Sequence, residues 1–99
     1  MSHKKLILIA DDEVAIHDSL RLYLQREGYE VYSVFRGTDV MEAFQRMRPD
    51  LVILDIMMPE LDGFSAAREI RKFRPNLPII LLSARGEEYD KIHGFELGI

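Results

Sequence analysis

The 99-residue chain contains no cysteine, which excludes a disulfide framework and a thiolate metal site. It has no stretch approaching the roughly 20 apolar residues that a membrane-spanning helix needs. The apolar run in its opening residues, MSHKKLILIADDE, is too short for a signal peptide. An excess of positive charge is also missing: 13 basic side chains stand against 17 acidic ones, for a net charge of −4. That balance argues against a dedicated surface for nucleic acid or for an anionic membrane. A glycine-rich turn after the first apolar run, which would cradle a nucleotide phosphate, is replaced by ADDEVA, which repels phosphate. These absences predict a cytoplasmic protein with no direct contact to membrane or nucleic acid.

What is present is an ordinary globular composition, 47% hydrophobic and 30% charged. The length predicts a single domain over residues 1–99, able to bury about two thirds of its unfolded surface. KLILIA, Lys5 to Ala10, is a continuous apolar run of strand length, as expected for a strand covered on both faces. From Glu13 to Glu27, Ile16, Leu20, Tyr23 and Leu24 recur at helical spacing, with Gly28 placed to end the helix. EVYSV, Glu30 to Val34, reads as a second strand, and Thr38 is placed to cap a second helix whose Val40, Ala43, Phe44 and Met47 share a face. LVILD is a third strand, GFSAAREIRKF a third helix with Phe64, Ala67 and Ile70 inward, PIILLS a fourth strand and EEYDKIHGFEL a fourth helix. Strands alternating with helices through short connections predict an α/β fold with a parallel sheet and right-handed crossovers.

In such a sheet, ligands bind beyond the carboxyl ends of the strands. Asp11 and Asp12 end the first strand, Asp55 ends the third and Ser83 the fourth. If the first and third strands are neighbours, three carboxylates converge and repel one another. Two like charges about 4 Å apart cost roughly 1 kcal/mol in water and about 4 at an effective dielectric of 20. A cation relieves this, and hard oxygen donors without histidine or cysteine suit Mg2+. An ionised aspartate beside that ion is a nucleophile toward phosphorus, and Asp55, alone on its strand, is the better candidate. Each piece has a plainer reading: Asp12 as a helix cap, a lone strand-end aspartate as a turn former, Met57 and Met58 as core filler, and His3, His17 and His93 as solvated or packed side chains. The coincidence of all the pieces at strand ends favours a site.

The order ADDE, LDIMMPELDG and LLSA resembles the receiver domain of two-component response regulators, over the whole chain. The combination of Asp55, Met58, Pro59, Asp62 and Gly63 with the upstream acidic pair is specific to that family. The resemblance implies a flavodoxin-like, doubly wound sheet of strand order 2-1-3-4. It implies that Asp55 accepts a phosphoryl group from a histidine kinase or phosphotransfer protein, with an output domain, in many relatives a DNA-binding one, reading the result. Asp12, Asp55 and the Met57 carbonyl would bind Mg2+ directly, Asp11 would act through water, and Ser83 would contact the phosphoryl oxygens and relay the switch. A receiver catalyses only its own phosphorylation and dephosphorylation and is otherwise no enzyme.

The family's fifth strand and helix, with a phosphate-pairing lysine, have no counterpart before Ile99, so the chain is expected to be a truncated receiver. That predicts slow phosphorylation, and an open flank at the fourth strand through which copies dimerise or exchange elements. Two other readings compete: a truncated receiver that serves only as an interaction fragment, and an aspartate-nucleophile, Mg2+-dependent phosphatase. The phosphatase needs a second acid two residues past the nucleophile, where this chain has Met57.

Overall fold

The computed structural model describes residues 4–82. Its elements in chain order are β1 (Leu6–Ala10), α1 (Val14–Arg26), β2 (Glu30–Val34), a 3-10 turn (Gly37–Asp39), α2 (Val40–Met47), β3 (Leu51–Asp55), β4 (Met57–Met58), β5 (Leu61–Asp62), α3 (Gly63–Phe73) and β6 (Ile79–Leu82). The four main strands form a parallel sheet in the order β2-β1-β3-β6. This is the predicted order, with β6 as the fourth strand expected from the sequence.

The continuous apolar strands are explained by burial on both faces. Leu8, Ala10, Val52 and Leu54 point to a large core shared with α2 and α3, which contribute Val40, Ala43, Phe44, Ala66, Ala67 and Ile70. Their neighbours Ile7, Ile9 and Ile53 point the other way, onto Leu20 and Leu24 of α1. With two-residue periodicity and helices on both sides, neither face of a central strand reaches water.

The structure departs from sequence expectation at several points. Tyr23 is exposed, while Ile16, Leu20 and Leu24 carry the inward stripe of α1, supplemented by the buried His17. Thr38 does not cap α2: it lies inside the 3-10 turn, and the helix follows Asp39 with no side-chain cap. Met57 and Met58 pair with Leu61 and Asp62 as a small antiparallel ribbon around Pro59, a register too short to be visible as periodicity. The fourth helix and Ser83 lie outside the described residues.

Local signals set the helix ends. Gly28 closes α1 at φ 95°, the left-handed region where glycine carries no Cβ penalty. Asp62 caps α3 by accepting the Phe64 amide at 3.1 Å. Asp50 ties the entry of β3 to β1, its carboxylate accepting the Leu6 N–H at 2.8 Å.

Candidate metal centre

Strand register builds the site. Ala10 sits opposite Leu54 in the β1·β3 ladder, so the next residues, Asp11 and Asp55, come side by side at the carboxyl edge of the sheet. Asp12 follows directly, and carboxylate oxygens of Asp11, Asp12 and Asp55 all lie within 4.8 Å of one another. Asp11 and Asp55 are only 2% and 1% exposed, whereas Asp12 faces solvent.

The two buried aspartates are held in the same way. Asp11 Oδ1 accepts the Glu13 amide at 2.8 Å, and Asp55 Oδ1 accepts the Met57 amide at 3.0 Å. Each makes a tight turn with the residue two positions on, so the turn-forming role and the site role coexist on one side chain. Neither second oxygen has a partner among the described residues. His17 Nδ1 is the buried side-chain atom left unpartnered there. Asp12, for its part, makes no cap to α1, whose preceding residue Glu13 also lacks a side-chain cap bond.

Burial raises the Asp11 carboxyl above its ordinary 3.8; the charges of Asp55 and Asp12 push the same way, against the Glu13 amide bond and the nearby His17. Burial likewise raises Asp55, with Asp12 adding to the shift and the Met57 amide opposing it. Among the described residues the ion pair is Lys72 with Glu69 at 3.2 Å, on the exposed surface of α3; no lysine or arginine there neutralises the cluster. Three hard oxygen donors, two desolvated and none paired, fit a divalent cation such as Mg2+ better than a softer ion.

The structure therefore brings Asp11, Asp12 and Asp55 together as expected. Met57 is present through its amide, with its side chain exposed, and Ser83 lies outside the described residues. His17, read from the sequence as a solvated or packed side chain, is packed, but sequence reasoning misses its contact with the Asp11 main chain at 2.7 Å; it stands six positions from its partner, and no motif marks it.

The response regulator receiver domain model matches residues 7–99. Among solved structures, a putative response regulator from Chloroflexus aurantiacus is 33% identical, with a TM-score of 0.85, over 97% of this chain and 80% of that one. The BeF3-activated N-terminal receiver domain of Klebsiella pneumoniae RstA is 30% identical, with a TM-score of 0.79, over 95% and 80%. NtrX from Brucella abortus is 33% identical, with a TM-score of 0.83; the match covers 97% of this chain but only 22% of NtrX.

Proposed function

Because the chain belongs to the response regulator receiver domain family, we propose that it is the phosphoacceptor switch of a two-component relay, with Asp55 as the acceptor. The observation that carries this reading is the meeting of three unpaired carboxylates from two strands within 4.8 Å. In a phosphoryl transfer from a histidine kinase or phosphotransfer protein, Asp55 Oδ2 attacks phosphorus as the phosphorus–nitrogen bond of the donor breaks. Oδ1 stays bonded to the Met57 amide, which keeps the carboxylate from turning away.

Asp12, Asp55 and the Met57 carbonyl are the direct ligands in this reading, and Asp11 acts through water. Bound Mg2+ supplies positive charge that neutralises the carboxylates and the oxygens of the transferred group. Ser83 is the phosphate-contacting and switching hydroxyl. A phosphoryl group adds about −1.5 to −2 charge at neutral pH, enough to bias a loop between two arrangements. The switch rather than the phosphatase is favoured because the place for a second acid holds an exposed methionine, Met57.

The unit extends over residues 1–99, acts in the cytoplasm and addresses an output domain. In support of the last point, the chain matches a fifth of the longer NtrX chain. Mass spectrometry after incubation with Mg2+ and a small phosphodonor tests the reading. One phosphoryl group per chain is expected, lost in Asp55→Asn and on chelation of Mg2+, and BeF3 should compete, as it activates the RstA receiver. Unchanged labelling of Asp55→Asn, or no labelling of the native chain, would overturn it.

A further inference from the structure

His17 lies in the first turns of α1 and is 1% exposed. Its Nε2 lies 2.7 Å from the main-chain oxygen of Asp11. A carbonyl only accepts, so Nε2 carries the hydrogen and donates. The other ring nitrogen, Nδ1, is buried without a partner among the described residues. A stranded buried nitrogen is destabilising, and a phenyl ring would fill the same space without one. What the imidazole adds over a hydrocarbon is its bond to Asp11.

That bond has a backing. The His17 ring packs on Phe35 with centroids 4.2 Å apart and planes tilted by 42°. Phe35 follows Val34, whose carbonyl accepts the Asp11 amide at 3.1 Å. Asp11 is thus held at its amide by Val34, at its carbonyl by His17 and at Oδ1 by the Glu13 amide, with Oδ2 left over. The Asp11 carbonyl also lies in the rigid peptide plane that leads to Asp12. Fixing that oxygen restricts the direction in which the Asp12 carboxylate leaves the chain, and Asp12 has no side-chain bond among the described residues to do this itself.

We propose that His17 is a positioning residue for the acidic pair: through its Nε2–H it fixes the Asp11–Asp12 peptide plane, and Phe35 braces the ring. The consequence for metal affinity rests on the reading of the pocket as a Mg2+ site; the consequence for the turn does not.

Two readouts on the full chain separate these. The first is hydrogen exchange of the Glu13 amide, followed by NMR without metal; the second is the Mg2+ dissociation constant, by calorimetry. His17→Phe keeps the ring and removes the donor, while His17→Gln places an amide N–H near the position of Nε2. We expect His17→Phe to melt cooperatively, to exchange the Glu13 amide several-fold faster and to bind Mg2+ about tenfold more weakly, the low end for groups that orient metal ligands. His17→Gln should recover most of both losses, which a purely packing role would not produce. Unchanged exchange and affinity in His17→Phe overturn the proposal, as does a folded His17→Gln no better than His17→Phe. If the native chain binds no Mg2+ while His17→Phe still loosens Glu13, the magnesium reading fails and the positioning role stands. Should His17→Phe not fold, Phe35→Leu probes the same brace, with faster Glu13 exchange expected and unchanged exchange overturning the role.

Discussion

At the residue scale, the buried carboxylates of Asp11 and Asp55 are a standing electrostatic cost. Their folded-state pKa values are raised above 3.8, chiefly by burial, so the folded chain holds protons that the unfolded chain has released. Stability from these groups is therefore greatest at low pH and is lost as pH rises from about the unfolded value through the raised folded values. Neutralising one member should relieve the neutral-pH penalty. Asp55→Asn, whose side-chain carbonyl can still accept the Met57 amide, is expected to gain on the order of 1 to 4 kcal/mol at pH 7 without metal. The gain should shrink as pH falls toward 4. Urea melts in chelator across that range check this, and a variant no more stable than the parent at neutral pH would contradict it. Added Mg2+ should stabilise the parent, with the effect fading toward acid as protons compete for the same oxygens.

At the element scale, two helix termini are set by backbone proximity and backbone strain. Gly63 begins α3 against the residues that carry the site: a Cβ there would stand 2.5 Å from the Ile56 Cα and 2.8 Å from the Asp55 carbonyl oxygen. Both atoms are backbone, so neither can swing aside. Gly63→Ala is expected to cost about 1 to 3 kcal/mol and to weaken Mg2+ binding by displacing Asp55; an unchanged denaturation midpoint would refute this. Arg48 ends α2 at φ 50°, the left-handed conformation, while its N–H bonds the Phe44 carbonyl at 3.1 Å. A side chain there costs roughly 1–2 kcal/mol relative to glycine, so Arg48→Gly should raise the thermal midpoint by several degrees. Scanning calorimetry checks it, with a lowered midpoint as the contrary result.

At the scale of the whole molecule, the two faces of the sheet are covered unequally among the described residues. Two helices serve the face lined by Leu8, Val52, Leu54, Ile79 and Leu81, and α1 alone serves the face of Ile7, Ile9 and Ile53. Ile80, on β6 between Ile79 and Leu81, is 42% exposed. An apolar strand surface of this kind favours association. Light scattering of the purified chain is expected to show dimers that Ile80→Lys reduces to monomers; a native monomer at all concentrations would sink the expectation.

Much of this fold is legible in the residues themselves. Apolar runs of strand length mark β1, β3 and β6, because a parallel strand covered on both faces needs no polar alternation. Val40, Ala43 and Phe44 mark the inner face of α2 by their spacing, and Asp11, Asp12 and Asp55 are conspicuous as charges ending apolar strands. Thr38 misled because a capping residue is recognised by type, whereas the backbone turn that precedes α2 decides which position caps. The β4–β5 ribbon escaped notice because two residues have no period. What the chain order could not decide is adjacency. Only the pairing of Ala10 with Leu54 brings positions 11 and 55 abreast, and only the packing of α1 against the end of β2 seats His17 between Phe35 and the Asp11 carbonyl. Residue type and spacing determine which side chains carry charge and which face inward, since those depend on neighbours along the chain. Which charges meet depends on residues far apart in sequence, and tertiary pairing alone settles that.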